Sequence, residues 1–221
     1  GGMGSEAEVS LLSALNIQEH LNQDLYTLVP IFWSPEGKFF QASSVADYHQ
    51  GKEIAIEDFS EVFDIAFPIT HWKYWEDGIL QAIFESQKIP YCGCWVLSSA
   101  ICMDKGMFKL LCQGQNIPQV PFITLSRTFD DNQKIIKDRF KKYRAPLYLK
   151  PANSGSSVGI SKLTKREDLK VSYELALQHD KKIILEKGLK NPKEIEVWII
   201  GNDDLLISEP WELILAKDFY D

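Results

Sequence analysis

The sequence predicts an α/β protein, and three observations carry that prediction. Helical patterns alternate with short apolar runs that suit strands. One such run ends on Lys150 and passes straight into a loop of small polar residues, Pro151 to Gly159. Its 221 residues, 45% hydrophobic and 25% charged, have a globular balance and enough material to bury a core in one large domain or two small ones.

The elements follow in order. Ser5-Glu6-Ala7-Glu8 has the form of a capping box, and Leu11, Leu12, Leu15 and Leu21 follow at roughly helical spacing. Leu25 to Trp33 reads as a strand closed by the turn Ser34-Pro35-Glu36-Gly37, and Asp64 to Ile69 as a short buried strand. Glu76 to Ser86 has an amphipathic helical pattern. Val96 to Cys102 and Lys105 to Gln113 read as helices, Val120 to Leu125 as a strand, and Asp130 to Tyr143 as a charged surface helix. Leu147 to Lys150 is a strand and Glu167 to Gln178 a helix; Lys182–Glu186, Glu194–Ile200 and Leu205–Ser208 are further strands. Boundaries are expected around residues 92–96 and near 187.

Composition excludes several classes. The net charge of −7 argues against a general nucleic-acid binder, since phosphate backbones are held by clustered Lys and Arg. No apolar run is long enough to span a bilayer, and no charged segment followed by an apolar one reads as a signal peptide, so no membrane partner is expected. Cys92, Cys94, Cys102 and Cys112 do not form a disulfide framework at this length, which points to a reducing, cytoplasmic setting. Cys92 and Cys94 lack a second pair or a His at zinc-ligand spacing.

Among the motifs, Lys150 to Gly159 is the strongest. Small residues let backbone N–H groups approach phosphate oxygens while the lysine neutralises charge, although no Lys-Ser/Thr pair follows the second glycine as in a Walker A loop. Read alone, the segment is also compatible with a surface turn. Gly2-Met3-Gly4-Ser5-Glu6-Ala7 mimics a dinucleotide fingerprint but lacks the preceding strand, so a helix-capping loop is favoured there. His71 to Gly78 places a histidine and two carboxylates just after a strand; Glu76 and Asp77 equally suit a helix N-terminus.

Taken in order, these segments resemble the D-alanine–D-alanine ligases, which are ATP-grasp enzymes. The segments that carry the resemblance are Gly1-Gly2 with Ser5 to Ser10, Phe67-Pro68 with His71 and Glu76-Asp77-Gly78, and Met103-Asp104-Lys105. Lys150-Pro151 with Gly155-Ser156-Ser157-Val158-Gly159, Glu186 to Leu189, and Lys193 to Val197 complete the set. The resemblance implies a Rossmann-like substrate domain over 1–94, a small ATP-grasp subdomain over 95–186 and the start of a large subdomain over 187–221, the last incomplete. It implies ATP as cosubstrate with Mg²⁺ or Mn²⁺, D-alanine as substrate, and a homodimer. Lys105 and Lys150 are then expected to hold ATP phosphates, with Gly155, Ser156, Ser157 and Gly159 forming a lid over them. Glu186, Lys187, Gly188 and Leu189 would read adenine, and Glu194 would bind ribose. Glu8 would bind the ammonium of the first D-alanine, while His71 and Ser156 position the substrate and the reacting groups.

The implied chemistry is an attack of a D-alanine carboxylate on the γ-phosphate, giving an acyl phosphate. A second amine then displaces phosphate, and positioning and charge neutralisation dominate such a reaction. The resemblance places the metal ligands and an oxyanion-stabilising arginine beyond Asp221, and the family's first strand before Gly1. This chain is therefore expected to be inactive alone. Ala7 stands where the family has His or Arg, which is expected to loosen the positioning of Glu8.

Trp72, Trp75, Trp95 and Trp211 fall where the family has glycine, and they are expected to clash or overpack there. A decoding artefact, with UGA codons read as Trp where the organism reads Gly, would explain them; UGG at all four codons would end that explanation. Two other functions compete with the ligase: a non-catalytic nucleotide-binding remnant, and a ligase that makes D-alanyl-D-lactate.

Overall fold

The structure is a computed structural model that describes residues 1–2, 6–71, 73–126, 128–144 and 146–214. It contains two compact units, Gly1–Leu111 and Cys112–Asp221.

In the first unit, helix α1 (Ala7–His20) is capped at Glu6 without a side-chain hydrogen bond. The Ser5 half of the expected capping box lies outside the described residues. Strands β1 (Ile31–Trp33), β2 (Phe39–Gln41) and β3 (Lys52–Ile54) form an antiparallel meander. The predicted turn at Ser34–Gly37 joins the first two, with Gly37 N–H donating to Ser34 C=O at 3.0 Å. The run predicted as one strand from Leu25 enters a ladder only at Ile31. Residues 25–30 instead line an apolar cavity of about 990 Å³, together with Ile65, Phe67 and Phe84. Asp64–Ile69 likewise contributes a single parallel bridge, Ala66 to Tyr91, rather than a strand.

Short helix α2 (Phe59–Val62) and helix α3 (Ile79–Ser86) cover the meander. α3 starts three residues later than predicted. Asp77 is spent on the preceding turn, where its carboxylate accepts from the Tyr74 N–H at 2.8 Å and the Ile79 N–H at 3.2 Å. Trp33, Phe39, Phe59, Leu80 and Phe84 form the core. Trp33 stacks on Phe39 at 5.0 Å and Phe59 meets Phe39 edge-on at 5.0 Å, geometries that aromatic quadrupoles favour. Helices α4 (Val96–Met103) and α5 (Lys105–Gly114) follow.

Beside this core, the Tyr91 hydroxyl donates to Glu85 Oε1 at 2.8 Å. Burial first, and then the Glu85 hydrogen bond and charge, push the phenol up to about 12. A raised folded-state value means that the stability is fully present below pH 10 and is lost as pH rises from 10 through 12. Glu85→Gln removes the carboxylate contribution. Urea melts at pH 9 and pH 11 should therefore show a smaller loss of stability in the variant than in the parent; an equal loss would contradict the assignment.

The second unit is built on a four-stranded antiparallel sheet in the order β4-β7-β5-β6. Its strands are β4 (Phe122–Ser126), β5 (Leu147–Pro151), β6 (Ser161–Leu163) and β7 (Lys182–Lys187). Helix α6 (Phe129–Tyr143) starts from a full capping box, Thr128 with Asp131, and α7 (Leu169–His179) leads into β7. Strand pleating puts alternate residues on opposite faces. Leu147 and Leu149 of β5, Ile183 and Leu185 of β7, and Leu125 of β4 join Ile136 of α6 with Tyr173 and Ala176 of α7 in one core. The other face, not these helices, carries Tyr148, Lys150 and Glu186.

Beyond the sheet, β8 (Glu194–Glu196) pairs with β11 (Trp211–Leu213), and β9 (Ile199–Ile200) with β10 (Leu206–Ile207). The predicted strand Glu194–Ile200 is therefore split. The register advances by one residue between Ile207↔Ile199 and Trp211↔Glu196, a bulge that holds Ser208 to Pro210. Ser208 fills the break: its Oγ accepts from the Trp198 N–H and its N–H donates to Trp198 C=O, both at 2.9 Å.

The backbone at Trp95 and Trp211 is not the left-handed one that favours glycine. None of the described non-glycine residues with left-handed φ is a tryptophan. Trp95 has φ −68° and is 76% exposed, and Trp211 sits in regular strand β11. The Trp75 ring packs against Gly93, where a Cβ would lie 2.7 Å from the indole. Trp72 lies outside the described residues.

Candidate active site

Predicted residues come together in the second unit. In the second unit, β5 and β7 pair so that Tyr148 lies opposite Glu186 and Lys150 opposite Ile184. Lys150 and Glu186 are thus diagonal neighbours on one face, where Cβ atoms about 7 Å apart are in reach of long side chains. Lys150 Nζ forms an ion pair with Glu186 Oε1, with side chains 23% and 10% exposed. The same ammonium lies 5.5 Å from the centre of the Tyr148 ring, a cation–π distance. A shielded ammonium at a strand end, next to a small-residue loop, is suited to receiving a polyanion.

The loop leaves β5 immediately. Ser156 and Ser157 adopt φ of 33° and 62°, a conformation uncommon for residues with a Cβ. Gly159 has φ +72°, and a Cβ there would lie 2.7 Å from both His179 Cδ2 and Pro151 Cγ, so glycine is required. Ser154 Oγ donates to Val158 C=O at 3.0 Å, and the Val158 N–H to Gly155 C=O at 2.9 Å, which close the loop on itself.

At the far end of β7, the Lys187 N–H donates to Pro121 C=O and the Gly188 N–H to Pro146 C=O, at 2.9 and 2.8 Å. A Cβ on Gly188 would sit 2.8 Å from the Tyr148 ring, so the chain can cross there only as glycine. Leu189 is exposed, as is Glu194 on β8. The predicted adenine-side residues Glu186 to Leu189 therefore continue along the strand that bears the Lys150 partner.

In the first unit, His71 is fixed to one face of α1. Its N–H donates to Ser10 Oγ at 3.1 Å, and its Nε2 lies 3.0 Å from Ser13 Oγ. Ser10 Oγ in turn donates to Glu6 C=O at 3.0 Å. Glu8 is exposed in the first turn of the same helix, where its charge complements the helix dipole. Lys105 opens α5. The preceding Asp104 side chain accepts from the Gly106 and Met107 N–H groups at 2.9 and 3.0 Å, as an N-cap does.

Sequence reasoning missed Ser10 and Ser13, whose i, i+3 spacing puts them on one helix face. It also missed Tyr148, whose place follows only from strand register. Among the described residues, no group of three His, Cys, Asp or Glu side chains comes together as metal ligands do.

A lysine from a strand end, a glycine- and serine-containing loop beside it and a glutamate on the neighbouring strand, all on an antiparallel sheet backed by two helices, are the parts of an ATP-grasp fold. The comparisons agree. Sequence profiles described as D-ala D-ala ligase N-terminus and D-ala D-ala ligase C-terminus match residues 1–94 and 111–221. A D-alanine--D-alanine ligase of Caldicellulosiruptor bescii is 36% identical over all of this chain and 66% of its own length. The VanG D-Ala:D-Ser ligase of Enterococcus faecalis superimposes with a TM-score of 0.85 at 29% identity, covering 100% of this chain and 70% of that one. The ATP complex of the D-alanine--D-alanine ligase of Bacillus anthracis gives 0.68 at 25% identity, over 93% and 66%. The chain belongs to the D-alanine–D-alanine ligase family. It spans about two thirds of the length of the curated relatives it matches.

Proposed function

We propose that this chain carries the first-substrate and nucleotide parts of an enzyme that joins two D-alanines with ATP, through an acyl phosphate, for peptidoglycan precursors. The observation that carries the proposal is the Lys150–Glu186 pair beside the 152–160 loop, on the sheet face opposite the core. Lys150, with Lys105, neutralises the phosphates, and Gly155, Ser156, Ser157 and Gly159 cover them. Glu186 to Leu189 read adenine and Glu194 the ribose. Glu8 receives the ammonium of the first D-alanine, and His71, oriented by Ser10 and Ser13, positions that substrate; Ser156 helps position the reacting groups. Positioning and fixed charge supply most of the acceleration in such a transfer. A divalent cation, Mg²⁺ or Mn²⁺, adds charge neutralisation at the phosphates, with ligands outside residues 1–221. The active form is a cytoplasmic homodimer.

The test is D-alanine-dependent phosphate release. A protein that joins this chain to the remaining third found in the relatives should turn over with D-alanine, and the 221-residue chain alone should not. Turnover with D-lactate as second substrate, or ATP binding without any turnover, would replace this reading with a depsipeptide ligase or a nucleotide-binding remnant. One similar structure is that of a D-Ala:D-Ser ligase, so D-serine belongs in the same assay.

A further inference from the structure

The segment that follows α7 holds the base of the 152–160 loop. Asp180 ends that helix with extended backbone, and its N–H donates to Ala176 C=O. Its Oδ2 accepts from the Asn153 backbone N–H at 2.7 Å and from Asn153 Nδ2 at 2.8 Å. Its Oδ1 accepts from the Lys182 N–H at 3.1 Å, and Lys182 C=O accepts from the Ala152 N–H at 2.9 Å. At the other end of the loop, the ring of the adjacent His179 packs against the position of Gly159. One short corner, residues 179–182, therefore grips both the entry and the exit of the loop. Between them the two serines stand in strained, left-handed backbone, a conformation that persists only where its surroundings impose it.

We infer that Asp180 is a positioning residue for nucleotide phosphate: its carboxylate fixes Asn153, and with it the orientation in which the loop presents its N–H and hydroxyl groups. The inference rests on the nucleotide function proposed above. Asp180 itself points to the loop base, where its oxygens meet Asn153 and Lys182. Three N–H donors on its two oxygens satisfy the carboxylate internally. Removing it frees the loop while the Lys150–Glu186 pair and the adenine-side strand stay in place.

The experiment is calorimetric binding of ATP and of adenosine to the chain and to Asp180→Ala, Asp180→Asn and Asn153→Ala. A purely structural role would weaken both ligands together. A positioning role separates them: Asp180→Ala should weaken ATP about tenfold and adenosine by less than about twofold, the scale of one charged hydrogen-bonding group. Asp180→Asn keeps one acceptor for Asn153 and should fall between. Asn153→Ala leaves the core untouched and should show the same split more weakly, which keeps the test open if Asp180→Ala fails to fold. Equal weakening of both ligands, or no change in either, would overturn the inference. If the unaltered chain binds adenosine as tightly as ATP, the phosphate function of the loop fails first, and the role of Asp180 with it.

Discussion

Lys150→Met is expected to weaken ATP binding by at least about 100-fold, because a shielded ammonium–phosphate contact is a charge-assisted interaction and each tenfold is about 1.4 kcal/mol. The same substitution should destabilise the second unit. It leaves Glu186, whose side chain is 10% exposed, without its cation. Breaking one side of such a pair costs about 3 kcal/mol when the charge that remains is largely buried. Adding Glu186→Gln should return most of the lost stability and none of the ATP affinity. Urea melts and calorimetry on the two variants separate these effects. ATP affinity that survives Lys150→Met would remove the lysine from the phosphate site.

Leu149→Ala has the largest expected effect on stability. Leu149 is fully buried beside Lys150 in β5, in a core with Ile183, Leu185 and Tyr173. Truncating it leaves a cavity between the sheet and its helices and should cost about 3 to 4 kcal/mol. The next residue along the strand is Lys150, so a shifted β5 should also misplace the ammonium. A shift of the urea midpoint worth less than about 1 kcal/mol would contradict tight packing around Leu149.

In the second unit the central strand β5 was legible because it alternates cleanly, whereas β7 was legible as a continuous apolar run. In β5, Leu147 and Leu149 face inward while Tyr148 and Lys150 face out, and period-2 alternation is the strongest strand signal. The loop after it was legible from Gly155 and Gly159, and α6 from its charged pattern. The first unit was less so. Leu25 to Trp33 has the composition of a strand, but propensity cannot say whether a partner strand lies alongside, and only Ile31–Trp33 finds one. The break in Glu194–Ile200 was invisible for a related reason. It is made by Ser208, across the hairpin, and a bulge on one strand leaves no mark in the sequence of the other. Glu8, Lys105 and Lys150 could be named from motif order. The residues that hold the site could not: Ser10 and Ser13 act on His71 from about sixty positions away, and Asp180 acts on Asn153 across a loop and a helix. Such contacts depend on register and packing, which sequence spacing does not encode. At Trp95 and Trp211 motif comparison places glycine, although the local backbone is one any residue adopts.

The most direct test of the nucleotide site is amide hydrogen exchange of the chain with and without ATP and Mg²⁺. ATP-dependent protection is expected in residues 150–160 and 184–190, with the core amides of α6 and α7 unchanged. Protection confined to other segments, or none at ATP concentrations that saturate relatives of this family, would contradict it.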